Sequence, residues 1–210
     1  MSRVKLSILV PTIPNRVNNK FISLVENLQE QIGEKKNVEI IGFFDNKRRT
    51  LGEKRQAMID IAIGDYIVFI DDDDYVASTY VVDILNCLEE NPECDCVVFD
   101  TICTEYSKNN KKTHCKYGIE YNYFDDDNGN WTGKPSHTMV YKKSILTKCK
   151  FDNISVGEDF AWVSKAYPNI KNQARIPKVL YYYEANRETS ETQIGGNFTK
   201  TTLSVPTINL

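Results

Sequence analysis

Four consecutive carboxylates, Asp71-Asp72-Asp73-Asp74, follow directly on the apolar run Tyr66-Ile67-Val68-Phe69-Ile70. Carboxylates this close repel one another unless they find partners or a divalent cation. An apolar run of this length, bounded by the turn signal Gly64-Asp65, reads as a buried strand. It would deliver the aspartates to one edge of a sheet, where open α/β folds bind ligands. The chemistry expected there is that of a metal or metal-nucleotide site, although an acidic surface turn uses the same residue types. A second acidic signal, Gly157-Glu158-Asp159-Phe160, lies among Val156, Ala161 and Trp162. A carboxylate pair in apolar surroundings can have one raised pKa and act as a general base. The same pair also suits a helix N-terminus, where acids complement the dipole.

The elements that must position these groups can be read from periodicity and punctuation. Val4 to Val10 is a first strand ended by Pro11-Thr12-Ile13-Pro14. Phe21, Ile22, Leu24, Val25, Leu28 and Ile32 recur at helical spacing, and Gly33 closes that helix. Val38 to Phe44 is a second strand, halted at Asp45-Asn46. Thr50 and Glu53 have capping-box spacing and open a helix whose predicted buried face is Leu51, Ala57, Met58, Ile61 and Ala62. After the aspartate block, Ser78 or Thr79 caps a third helix, stopped by Pro92, and Cys96 to Phe99 is a fourth strand. The fold class is therefore α/β, a Rossmann-like, mostly parallel sheet flanked by helices. In such a sheet Pro11-Thr12, Asp45-Asn46 and the aspartates meet along one edge, the place for a nucleotide. No P-loop or GxGxxG is present, so phosphate would be neutralised by a divalent cation on the aspartates, with Lys54 or Arg55 helping.

From about residue 105 the βα pattern gives way to a polar loop at Asn109 to Thr113 and an aromatic, turn-rich stretch from Tyr117 to Trp131. Further strands are expected at Thr138 to Tyr141 and Ile176 to Tyr183, and from about Gly195 no periodicity remains. Residues 1–105 read as a nucleotide-binding half, 106–195 as a less regular acceptor-side half, and 196–210 as a loose tail. With 210 residues, 41% hydrophobic and 26% charged, the chain can bury a sizeable core. A net charge of −3 gives no general nucleic-acid footprint. No apolar stretch approaches the roughly 20 residues of a membrane span, and the N-terminus lacks a signal-peptide pattern, so the expectation is a soluble, cytoplasmic protein. The six cysteines match no zinc spacing and are expected as reduced thiols, several of them buried.

Taken in order, these pieces resemble the family 2 glycosyltransferases, which have the GT-A fold. Ser7-Ile8-Leu9-Val10-Pro11-Thr12 resembles the family's opening strand, and Arg55-Gln56 with Ala62-Ile63-Gly64-Asp65-Tyr66 resembles its Arg-Asn…Ala-x-Gly-x-Tyr stretch. Phe69-Ile70-Asp71-Asp72-Asp73-Asp74 resembles the Leu-Asp-x-Asp-Asp sequence that holds the DxD motif. Gly157-Glu158-Asp159-Phe160 resembles the acidic pair carrying the catalytic base, and Tyr181-Tyr182-Tyr183 with Arg187 and Ser190 resembles the closing strand and the loop after it.

The resemblance implies an inverting, metal-dependent transfer of a sugar from a nucleotide-diphosphate donor, a UDP-sugar, to an acceptor hydroxyl. Asp71 and Asp73 would be the DxD pair, with Asp73 the direct ligand of Mn²⁺ or Mg²⁺ and Asp71 towards the ribose. Asp72 is their neighbour at the donor site. Pro11, Thr12 and Asp45 would line the base and ribose pocket, Arg55 would help to hold the nucleotide, and Asp159 would take the acceptor's proton. Trp131, His137, Glu158, Arg187 and Ser190 are candidates for acceptor contact or a lid. Two departures stand out: Asp45 is followed by Asn46-Lys47-Arg48-Arg49 where the family often has a second acid and a Gly-Ser turn, and Gln56 replaces the usual Asn. The acceptor class stays open among glycan, lipid, protein and modified nucleic acid. A nucleotidyltransferase and an inactive nucleotide-sugar-binding module are the competing readings.

Overall fold

The computed structural model describes residues 3–17, 19–125 and 128–185. At its centre strand β1 (Leu6–Thr12), buried along its whole length, lies between β2 (Val38–Phe44) and β3 (Tyr66–Phe69) and runs parallel to both. Helix α1 (Asn19–Ile32) joins β1 to β2, and α2 (Leu51–Ile61) joins β2 to β3. Gly33, in the left-handed conformation at φ +55°, ends α1 as its position in the sequence predicts. The capping box of α2 forms in both directions: Glu53 N–H donates to Thr50 Oγ1 (3.1 Å) and Thr50 N–H donates to the Glu53 carboxylate (3.0 Å).

Beyond the aspartates come β4 (Tyr75–Val76), α3 (Tyr80–Glu90) and β5 (Cys96–Glu105). The second half supplies β6 (Lys111–Tyr117), β7 (Phe124–Asp125), β8 (Asn130–Gly133) and β9 (Val140–Lys142). It closes with α4 (Lys143–Lys148), α5 (Glu158–Ala166) and the long β10 (Gln173–Ala185). The short β9 enters antiparallel between β3 and β5. Past β9, β5 pairs antiparallel with β6, while β10 runs parallel to β5 on its other side and also takes β4. The core between sheet and helices is one cluster that includes Ile8, Val68, Ile70, Phe99, Met58 and Leu88. Among the described residues no helix is long and apolar enough to cross a membrane, and all six cysteines are free.

Three expectations are corrected. Lys111–Thr113, expected as loop, is the start of β6, paired with Cys103–Glu105. Within β6 only Cys115 is buried, so the strand has no apolar alternation to reveal it. The first strand begins at Leu6 and continues through Pro11 and Thr12, because β2 pairs with it as far as Phe44. Finally, α2 buries Lys54 and Arg55 beside Met58 and Ile59, while Ile61 is exposed. Two buried cations on a helix face contradict an apolar-face reading, and their partners explain the exception.

Candidate active site

Strand β3 carries the aspartates to the C-terminal edge of the parallel strands. Ile70 N–H still donates to Leu9 O (3.0 Å), extending the ladder, and Asp74 N–H turns back onto Asp71 O (3.1 Å). This tight turn sorts the four carboxylates by parity. Asp72 is buried: Thr12 Oγ1 donates to it at 2.6 Å and Arg16 Nη1 at 2.9 Å. Asp74 is buried too, accepting from Tyr181 O–H (2.7 Å) and Glu184 N–H (3.0 Å). The even pair therefore staples the loop after β1 and the end of β10 to the block. Asp71 and Asp73, with side chains 25% and 22% exposed, face a cleft of about 700 Å³.

The electrostatics follow from these surroundings. Burial pushes Asp73 up to about 6; Arg16 opposes the shift while Asp71 and Asp72 reinforce it. Burial and the charge of Asp71 hold Asp74 well above the usual carboxylate range, so its bond to Tyr181 sits in a poorly ionising site. Burial works the same way on Asp71, but Arg55, His137 and Arg16 outweigh it and its pKa falls. Arg55 Nη2 lies 2.8 Å from Asp71, and Arg55 Nε lies 3.5 Å from Glu158, with the guanidinium over the rings of Phe69 (5.2 Å) and Phe151 (6.0 Å). These acids are the partners that permit a buried cation on α2. Lys54 is its counterpart: its ammonium donates to Thr12 O (2.7 Å) and pairs with Asp45 (3.1 Å).

As a metal site the aspartate pair offers a small donor set. Among the described residues no three His, Cys, Asp or Glu side chains form a cage. Asp71 and Asp73 nevertheless offer hard oxygen ligands on the cleft wall, and burial disfavours the ionised form of Asp73 despite Arg16. Two carboxylates fit an Mg²⁺- or Mn²⁺-type ion that completes its shell from substrate phosphates and water.

The second acidic pair enters the cleft from the opposite wall. Gly157, at φ +75°, turns the chain into α5, whose first turn carries Glu158 and Asp159. Glu158 is buried, and burial raises its pKa against the pull of Arg55. Asp159, with a side chain 45% exposed, lines the cleft, its Oδ2 3.7 Å from His137 Nδ1. The segment before it is anchored on α2: Gly52 N–H donates to Ile154 O (3.0 Å), Leu51 N–H to Ser155 Oγ (3.3 Å), and Asn153 Nδ2 to Glu53 (2.9 Å). A Cβ at Gly52 would stand 1.9 Å from Asp152 O. Gly52→Ala is therefore expected to cost about 1–3 kcal/mol in denaturant unfolding and to displace the segment that leads into Asp159.

The residues singled out in the sequence fall as follows. Pro11, Thr12, Arg55, Asp71, Asp72, Asp73, Trp131, His137, Glu158 and Asp159 line one cleft. Asp45 does not line it: Lys54 and Arg49 (3.5 Å) hold its carboxylate and lower its pKa against the opposing effect of burial. Arg187 and Ser190 lie outside the described residues. Trp131 packs against Tyr117 (5.4 Å) and Tyr123 (5.7 Å), and Tyr123 against Phe160 (5.9 Å), making an aromatic wall beside Asp159. Sequence reasoning missed Arg16, which reaches Asp72 and lies 3.4 Å from Asp73, and gave Tyr181 no role of its own. Arg16 sits in the proline-flanked loop after β1, and only the sheet order brings that loop to β3. Tyr181 belongs to the run Tyr181-Tyr182-Tyr183, but its hydroxyl joins Asp71 N–H and Asp74 across more than a hundred residues of chain.

Comparison with known proteins follows the same lines. A family model described as glycosyl transferase family 2 matches residues 15–150. No curated protein matches the chain. Among solved structures, S. aureus TarS residues 1-349 superposes with a TM-score of 0.59 at 16% identity, covering 86% of this chain and 60% of that one. The complex of the same TarS fragment with UDP-GlcNAc gives 0.61 at 16% identity over 93% of this chain and 62% of that one. Its complex with UDP gives 0.58 at 17% identity, over 86% and 60%. This chain thus spans about 60% of the length of those structures, and at such identities they establish the fold, a GT-A arrangement. The family model covers well over half of the sequence, and the chain belongs to glycosyl transferase family 2.

Proposed function

We propose that the protein transfers a sugar from a nucleoside-diphosphate donor, a UDP-sugar, to an acceptor hydroxyl, with inversion at the anomeric carbon. The observation that carries this reading is the convergence of two carboxylate sets on one cleft: Asp71 and Asp73 at the end of β3, and Asp159 at the start of α5. UDP and UDP-GlcNAc in the neighbouring structures support uridine as the base.

Asp73, with Asp71 beside it, would hold a divalent ion; when bound, such an ion supplies charge neutralisation for the diphosphate leaving group. Pro11 and Thr12 would form the floor for the nucleoside, on a strand end fixed through Lys54 and Asp72. Arg55 would act through Asp71, which it contacts at 2.8 Å, by favouring the ionised form of that carboxylate on the cleft wall. Asp159 would accept the acceptor's hydroxyl proton as the oxygen attacks the anomeric carbon. The bond from that carbon to the diphosphate oxygen breaks on the opposite face, and the nucleoside diphosphate departs. The aromatic wall of Trp131, Tyr123 and Phe160 stands where the acceptor approaches Asp159 and offers apolar ring faces to it.

The test is a thermal-shift screen of nucleotide sugars with Mn²⁺, followed by an assay for nucleoside diphosphate release. Ligand at one hundred times its Kd stabilises by about 2.7 kcal/mol, which is readily visible as a rise in Tm. A UDP-sugar that raises Tm and releases UDP supports the reading. A Tm unmoved by every donor, with no diphosphate released, overturns it.

A further inference from the structure

Among the buried polar groups of the cleft that lack a hydrogen-bond partner, His137 lies between the two acidic sets. His137 sits between β8 and β9 in a short segment tied down by its neighbours. Tyr141 O–H bonds Pro135 O (2.7 Å) and Ser136 O (2.9 Å), Met139 N–H donates to Ser136 O (3.0 Å), and Thr138 N–H donates to Ser136 Oγ (3.1 Å). The imidazole is only 11% exposed. Its Nε2 is buried and makes no hydrogen bond of normal length, its nearest acid oxygen being Asp71 Oδ2, 3.5 Å away. Its Nδ1 lies 3.7 Å from Asp159 Oδ2. Each nitrogen therefore stops just beyond hydrogen-bond length of a carboxylate on a different wall. An orphaned buried nitrogen costs free energy, and catalytic hydrogen bonds are often long before substrate binds.

Arg55 closes the circuit from the other side, touching Asp71 and Glu158, the residue before Asp159. Two rigidly held side chains thus span the gap between the donor-side and acceptor-side acids. Of these two, His137 is the one that reaches Asp159 itself.

We propose that His137 is the positioning residue that couples the two halves of the site: Nδ1 orients the Asp159 carboxylate towards the acceptor, while Nε2 references it to Asp71 and hence to the bound donor. It acts through those carboxylates and touches neither substrate. The proposal rests on the transfer reading given above, and its tests separate the two.

Three variants dissect the ring. Phenylalanine keeps its volume without either nitrogen, asparagine returns a polar atom near the Nδ1 position, and glutamine returns one near Nε2. With the UDP-sugar identified by the screen and Mn²⁺, His137→Phe should lower kcat roughly 10²-fold, the scale of a misplaced catalytic group. Its donor KM should change much less. His137→Asn should recover most of kcat, and His137→Gln should not. Phenylalanine at wild-type kcat, or all three variants equally impaired in kcat and KM, would overturn the proposal.

A second measurement needs no turnover. The chain has two histidines, His114 and His137, so ¹⁵N-labelled imidazoles give two spin systems, assignable with His114→Gln. In the free protein Asp159→Asn, a change at a half-exposed site, should shift the His137 ring nitrogens and leave those of His114 in place. His137 resonances indifferent to Asp159→Asn would overturn the coupling even if every donor assay failed. A wild type that releases no UDP from any donor, with the shift still present, would sink the transfer reading alone.

Discussion

Asp159→Asn should lower transfer by roughly 10²- to 10⁴-fold, the usual contribution of a positioned general base, and leave nucleotide binding at wild-type affinity. The amide keeps the shape of the side chain and removes its capacity to accept a proton. Asp159 is half-exposed in the first turn of α5, so the folded state loses its attraction to His137 and its favourable contact with the helix dipole, the latter worth about 0.3–1 kcal/mol. The buried neighbour Glu158 and the anchored segment before it are untouched. Paired measurements of UDP release and of UDP affinity by calorimetry check the expectation. A matching loss of both would assign Asp159 to the framework of the site and not to its chemistry.

Arg55→Met should destabilise the fold by about 3 kcal/mol. The guanidinium is 2% exposed and is the cation between Asp71 and Glu158. Methionine can fill the space over Phe69 and Phe151 but leaves two carboxylates facing each other. Breaking a buried pair from one side costs about 3–5 kcal/mol, and the lower end applies because Asp71 keeps a quarter of its surface in water. That is a large share of the roughly 5–15 kcal/mol by which domains are stable. Adding Glu158→Gln to Arg55→Met should recover part of the loss, since it removes one uncompensated charge. Urea unfolding of the wild type, the single variant and the double variant measures both effects. A single variant as stable as wild type would show that water already solvates these acids.

The parts of the molecule visible in the sequence are those with local causes. The run from Tyr66 to Ile70 announces a buried strand because every residue in it is covered. Gly33 and the Thr50–Glu53 box mark helix ends through chemistry acting within a few residues. The polar ends of β1 and β3 meet as sheet logic requires. What stayed hidden depends on distant chain. Lys54 and Arg55 read from the sequence as helpers for phosphate, and their burial is visible only once Asp45, Asp71 and Glu158 arrive as partners. Strand β6 is an exposed, polar strand that exists because β5 continues past Phe99. The non-equivalence of the four aspartates follows from a turn whose even members meet Thr12, Arg16 and Tyr181, drawn from both ends of the chain. His137 could be named from the sequence, but its place between two acids appears only once β9 slots in beside β3.

The role proposed for Asp73 is that of a carboxylate serving a cation that arrives with a diphosphate. Calorimetric titration of UDP into wild type and Asp73→Asn, each with and without Mn²⁺, tests this directly. Wild type should bind UDP more tightly when Mn²⁺ is present, and Asp73→Asn should lose that gain while keeping the metal-free affinity. UDP affinity indifferent to Mn²⁺ in the wild type, or a metal response that survives in Asp73→Asn, would contradict it.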